Sequence, residues 1–162
     1  MNIYEEIFEE LDKRDLKYVI WKSLENIDNQ LIGKDDVDIL VNTEISKLDK
    51  ILKSNYFFDD FLSDDTFENR IKIYKRFNIS KNKWQILHIH YGLWIGSKKY
   101  KQYLLGKADY FLNNNLNYKK IKILDHYIFI YIRIILIILK NDFNDLFIKN
   151  YKIFYNKLSS EQ

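Results

Sequence analysis

The chain has 162 residues, 47% of them apolar, with 13 Tyr, 11 Phe and 3 Trp. That is enough apolar side chain for one domain with a real core, and it excludes wholesale disorder. The absence of cysteine excludes disulfides and thiolate metal sites, and a net charge of +3 argues against a nucleic-acid partner.

Residues 3–14 carry Ile3, Ile7, Phe8 and Leu11 on one helical stripe, with acids on the opposite side. Tyr18-Val19-Ile20-Trp21 reads as a short buried strand, followed by Lys22-Ser23-Leu24-Glu25-Asn26 and a polar loop to Gly33. Val37–Val41 is the second strand. Thr43 is placed to cap a helix with Ile45, Leu48, Ile51 and Leu52 on one face. The acidic, aromatic stretch 57–69 reads as an irregular loop. Residues 70–77 and 84–91 alternate around a turn at 78–83, the pattern of a hairpin. On its second strand Ile86, His88 and His90 share one face, and Leu87, Ile89 and Tyr91 the other. From about Tyr100 the pattern is helical, with a polar break at 113–115, an apolar helix over 123–139 and an amphipathic one around 143–158.

The run from Tyr127 to Leu139 is apolar but spans 13 residues, with Arg133 inside. A membrane span needs roughly 20 apolar residues, so a buried core helix and no membrane association are expected. The acidic, amphipathic start does not read as a signal peptide, and a reducing cytoplasm is the expected compartment. There are no internal repeats and no linker rich in Gly, Ser or Pro. The layout predicts an α/β (α+β) fold, a small mixed sheet with flanking helices. A core over 1–100 would carry a helical C-terminal subdomain over 101–162.

The motif richest in chemistry is Gly33-Lys34-Asp35-Asp36-Val37-Asp38-Ile39-Leu40-Val41. In a strand, residues two apart point to the same face, so Asp36 and Asp38 are expected to converge. Two converging carboxylates repel unless a cation lies between them, and hard oxygen ligands of this kind suit Mg²⁺ with substrate phosphates. The same pair is also a common turn or cap element, because Asp bonds backbone N–H groups readily. His88 and His90 have two readings of the same sort: they line a solvated sheet face, or they belong to a site. A His/His/Asp transition-metal set is geometrically conceivable as well. Lys98-Lys99-Tyr100-Lys101 reads as a solvated run or a phosphate contact. Arg133 is expected to pair with an acid such as Asp125 or to face a cleft.

The layout, with Asp-x-Asp leading the second strand, resembles the DNA polymerase beta-like nucleotidyltransferase superfamily. Its pattern runs strand, small residues, loop and short helix, then Asp-x-Asp, with a third carboxylate on a later strand. A closer resemblance is to uncharacterised bacterial nucleotidyltransferase-like proteins. It rests on Tyr18-Val19-Ile20, Glu25-Asn26, Asp36-Val37-Asp38-Ile39-Leu40-Val41 and the run from His88-Ile89-His90-Tyr91 to Gly96, over roughly residues 15–100.

The resemblance implies transfer of a nucleoside monophosphate from a nucleoside triphosphate to a small-molecule or protein acceptor. Asp36 and Asp38 would hold Mg²⁺, with Mn²⁺ as a substitute, and act with His88 and His90 as the catalytic set. Lys22, Ser23 and Lys34 would bind the nucleotide. Two departures stand out. Lys22 occupies a position where the pattern has glycine, and the inward residues on the later strand are His88 and His90, not a carboxylate. Asp64, Asp65 and Glu68 are the substitutes nearest in sequence. An inactive domain that binds nucleotides or a protein partner is the alternative, and the small size also allows a toxin–antitoxin component.

Overall fold

The computed structural model describes residues 3–54, 57–59, 71–95 and 103–140, and residues 152, 155 and 156. In chain order, the helices are α1 (Ile3–Lys13), α2 (Ile27–Leu31), α3 (Ile45–Ser54), α4 (Ala108–Asn113) and α5 (His126–Lys140). The strands are β1 (Tyr18–Ile20), β2 (Val37–Val41), β3 (Phe58–Asp59), β4 (Ile71–Asn78), β5 (Lys83–His90), β6 (Trp94–Ile95), β7 (Tyr103–Leu104), β8 (Asn115–Tyr118) and β9 (Ile121–Leu124).

The fold is α+β. Among the described residues, seven strands form one mixed sheet in the order β3-β4-β5-β2-β1-β9-β8, and β6 and β7 form a separate ribbon. β1 and β2 are antiparallel, whereas β2 and β5 run parallel, as do β1 and β9. β2 and β1 are central, and every residue of both is buried. Strands buried on both faces read as continuous apolar runs, which explains Tyr-Val-Ile and Val-x-Ile-Leu-Val and makes Asp38 the anomaly.

Strand periodicity assigns the two faces. Tyr18 pairs with Val41 and Ile20 with Ile39, so these four share one face. Helix α1 lies on it: Phe8 stacks on Tyr18 with ring centroids 4.8 Å apart. Helix α3 covers the same face further along, where Asp49 takes the Lys72 ammonium at 3.0 Å and the Tyr74 hydroxyl of β4. On the other face α5 lies over Trp21 through Phe129, Ile132 and Leu136. The part of that face formed by β4 and β5 is more open. There Ile73, Ile86 and His88 are half-buried, and Phe77 and Trp84 are exposed.

Several sequence expectations change. The loop from Leu24 to Gly33 holds a 3-10 turn at Leu24–Asn26 and then α2. The stretch expected as an irregular loop begins with β3, and the rest of it, with Asp64, Asp65 and Glu68, lies outside the described residues, as does the lysine run at 98–101. Most of the helix expected at 143–158 also lies outside them, although residues 152, 155 and 156 are helical.

The helical reading of the chain beyond residue 100 is corrected. β8 and β9 form a hairpin there, and β9 extends the main sheet beside β1. The apolar run assigned to one helix over 123–139 divides at Asp125, whose carboxylate caps α5 by accepting from the Tyr127 and Ile128 N–H groups at 2.9 and 3.3 Å. A short apolar run before such a cap has no period that separates strand from helix. No helix among the described residues is long and apolar enough to cross a membrane.

Gly33 sits at φ +73°, and a β-carbon there would lie 2.9 Å from Gln85 Nε2, a side chain that is itself buried. Gly33→Ala is expected to cost about 1–2 kcal/mol, because it adds left-handed strain to that crowding. Urea unfolding measures the loss, and a neutral result would show that the loop refolds around the new methyl group.

Candidate functional site

The chain leaves β1 through Trp21 and Lys22 and reverses at Ser23, which adopts the left-handed conformation at φ 53°, ψ 39°. The Trp21 N–H donates to the Asp38 carbonyl, and Gln30 Nε2 of α2 donates to the Lys22 carbonyl at 3.0 Å. These bonds fix Lys22 beside the start of β2. In the parallel ladder Asp38 stands opposite His88, and Leu40 opposite His90. One face of two adjacent strands therefore gathers Asp38, His88 and His90, and Lys22 reaches across from β1.

The four side chains form one cluster. Lys22 Nζ lies 3.2 Å from both oxygens of Asp38. His90 Nε2 is 2.9 Å and His88 Nδ1 3.3 Å from Asp38 Oδ1. Trp21 sets its ring edge-on to His90 with centroids 4.9 Å apart, which closes the apolar side. Asp38 and His90 are buried, at 4% exposure each, whereas the Lys22 and His88 side chains are 36% and 24% exposed. The cluster is therefore a buried carboxylate with one buried and two partly solvated partners.

Burial pushes the Asp38 carboxyl up, but the hydrogen bonds from His88 and His90 and the nearby Lys22 ammonium outweigh it and hold the group well below the usual carboxylate range. Burial lowers His90 below an ordinary imidazole, and its bond to Asp38 offsets only part of that. A neutral His90 facing an ionised Asp38 must carry its proton on Nε2 to donate, which leaves buried Nδ1 without a partner among the described residues.

The expected site residues separate into two groups. Asp38, His88, His90 and Lys22 come together. Asp36 does not join them: β2 begins at Val37, and Asp36 is exposed in the bend before it. The alternation that was to aim both carboxylates at one point starts one residue too late for Asp36. Its charge instead acts on the Tyr4 hydroxyl of α1, which it helps to push above the normal range after burial. Lys34 is exposed on the Gly33 loop, with its carbonyl held by Lys83 Nζ at 2.6 Å. Ser23 lies beside Lys22 and packs closely under α5, near Phe129 and Arg133, with no space for a ligand between them. The guanidinium of Arg133 is 3.8 Å from Glu25, whose side chain is only 5% exposed. Arg133 thus pairs with Glu25 of the 3-10 turn, and not with Asp125, the α5 cap. The lone charge in an apolar helix was the signal for this contact; nothing in the sequence announced Gln30 as the support of Lys22.

As placed, these residues do not suit Mg²⁺. That ion demands octahedral oxygen ligands, whereas both Asp38 oxygens are already bonded by an ammonium and the next donors are imidazole nitrogens. A metal would have to displace the Lys22 ammonium from the carboxylate.

The chain matches no known family model, and neither a curated protein nor a solved structure is significantly similar to it.

Proposed function

We propose that this chain is a nucleotidyltransferase-like domain that binds a nucleoside triphosphate without metal-dependent transfer. The observation that carries the reading is the Lys22 ammonium seated on both oxygens of Asp38, an internal cation where the transferase pattern calls for a metal. The topology supports the family side of the reading. Two antiparallel strands are joined through a short helix, and the second carries the acid and runs parallel to a later strand. His88, opposite Asp38, stands on the strand where the pattern has its third carboxylate. On this reading Lys22 and Ser23, at the turn that follows β1, meet the phosphates, and His88, which is partly exposed beside Asp38, reaches the same ligand from solvent.

The test is a thermal-stability titration with ATP, GTP, CTP and UTP, in Mg²⁺ and in EDTA, together with pyrophosphate release in the presence of candidate hydroxyl acceptors. One nucleotide is expected to raise the midpoint equally in both buffers, by up to about 2.7 kcal/mol of added stability at a hundredfold excess over Kd, with no pyrophosphate formed. Release that needs Mg²⁺ or Mn²⁺ and vanishes in Asp36→Asn/Asp38→Asn would instead establish an active transferase. A folded protein that no nucleotide stabilises would remove the nucleotide-binding reading.

A further inference from the structure

Helix α5 is apolar on almost every side, yet the core covers only one of them. Phe129, Ile132 and Leu136 are buried, and these are the side chains that lie over Trp21. On the opposite side Tyr127, Tyr131, Ile134 and Ile138 are 70%, 63%, 49% and 65% exposed. They stand four, three and four residues apart, so helical geometry stacks them in one seam, the spacing of two helices packed along each other. A helix that is apolar all round is a helix buried all round. One flank of the seam is engaged within the chain: Arg133 is turned to Glu25, and the Tyr155 ring sits 5.5 Å from that of His126. The other flank opens into a groove of about 620 Å³, lined by Tyr110 of α4, itself 59% exposed, together with Tyr127, Ile128 and Tyr131.

Symmetry, charge and area together say what covers the seam. The seam is the same read in either direction. A two-fold axis passing between positions 132 and 133, with two copies of α5 antiparallel, sets Tyr127 opposite Ile138 and Tyr131 opposite Ile134. Each ring of one copy then meets an aliphatic side chain of the other, and every contact occurs twice, as an isologous interface requires. Between His126 and Leu139 the sequence has one charged residue, Arg133, and Glu25 engages it. Two copies therefore bring no like charges together, and the seam offers no charge to select a different partner. Taking about 200 Å² for a whole tyrosine side chain and somewhat less for isoleucine, the exposed parts of Tyr110, Tyr127, Tyr131, Ile134 and Ile138 come to on the order of 600 Å². Two copies supply on the order of 1,200 Å², the lower end of a specific, stable interface.

We infer that this chain forms a two-fold dimer in which α5 packs antiparallel on α5 of a second copy, through Tyr127, Tyr131, Ile134 and Ile138. Tyr110 of each copy borders the contact. The inference stands on α4 and α5 and does not depend on nucleotide binding at the Asp38 cluster, because Lys22 lies under the covered side of the helix.

The experiment is sedimentation equilibrium on the full chain, over concentrations from about 1 to about 100 μM, where mass action shifts a dimer of ordinary affinity. The wild-type mass is expected to rise with concentration to twice that of the chain. Tyr131→Glu and Ile134→Lys should each weaken association at least about a hundredfold, because each buries an unpaired charge twice in the contact. An equimolar mixture of the two variants should regain the dimer. The antiparallel register sets the carboxylate of one chain opposite the ammonium of the other, and a parallel register does not. Both positions are exposed in the single chain, so far-ultraviolet circular dichroism like that of the wild type will show that the variants fold, and recovery in the mixture shows it a second way. A wild type that stays monomeric throughout would overturn the inference, and so would a dimer that both variants retain. Variants that are monomeric alone and remain so when mixed would overturn the antiparallel pairing. A monomeric wild type that binds phosphatidylcholine vesicles, with Ile134→Lys abolishing the binding, would give the seam to a lipid surface and overturn the inference as well.

Discussion

Asp38→Ala is expected to destabilise the fold by about 3 kcal/mol, read from urea unfolding at pH 7. Breaking a buried ion pair typically costs about 3–5 kcal/mol, because the remaining charge is stranded. Here the cost falls toward the low end, since the Lys22 side chain is 36% exposed and can turn to water. Buried His90 has no such escape, and its Nε2–H loses its acceptor. Lys22→Met inverts the logic. The carboxylate stays buried, at 4% exposure, and loses the cation on both its oxygens. A loss of about 2 kcal/mol is expected, together with a new property: Mg²⁺ or Mn²⁺ should now restore part of the stability, because the carboxylate has room for a different cation. The double variant should lose less than the sum of the single losses, the mark of two groups that interact directly. Additive losses, or a Lys22→Met protein indifferent to divalent ions, would show that the ammonium contributes little and that the two imidazoles alone hold Asp38 ionised.

The sequence shows the polar cluster only in part, for a physical reason. Strand alternation puts His88 and His90 on one face, but which strand they meet is a matter of sheet order, and that order comes from non-local pairing. The parallel β2–β5 register that sets Asp38 opposite His88 joins segments 50 residues apart. Alternation failed at Asp36 because it applies only inside a strand, and the chain is still in the bend that Gly33 begins. The end of the short strand β9, Ile123 and Leu124, reads as part of the helix that follows it, since three apolar residues in a four-residue strand carry no period of their own. The core was more legible. The stripe of Ile7, Phe8 and Leu11, the strands 18–20 and 37–41, and the β4–β5 hairpin all stand where apolar spacing put them, because burial fixes the face of each element. The net charge of +3 is a sum over an acidic N-terminal helix and a β4–β5 hairpin without acids, so it does not describe either one.

Acid is expected to unfold the domain in two stages, and the cluster sets both. His90 titrates in the folded state below its ordinary value of 6.5, so the unfolded chain takes up a proton before the folded one does. The stability tied to neutral His90 is then complete above pH 6.5 and drains away as the pH falls from 6.5 through the folded-state value. Asp38 is depressed below 3.8, so its contribution is complete above that value and is lost as the pH falls through its own, lower folded-state value. Asp49, lowered by the Tyr74 hydroxyl and the Lys72 ammonium against a smaller effect of burial than Asp38 feels, adds to the second stage. Each stage has a limiting slope of about 1.4 kcal/mol per pH unit for each proton. Urea unfolding from pH 8 to pH 3 should therefore show stability falling below pH 6.5 and again below pH 4. His90→Gln keeps a donor for Asp38 and cannot take up a proton. It should flatten the curve between pH 7.5 and pH 5 and leave the second fall in place. Wild-type stability that rises on acidification from pH 7 to pH 5.5 would mean that His90 is charged inside the fold, and would reverse the assignment of its proton.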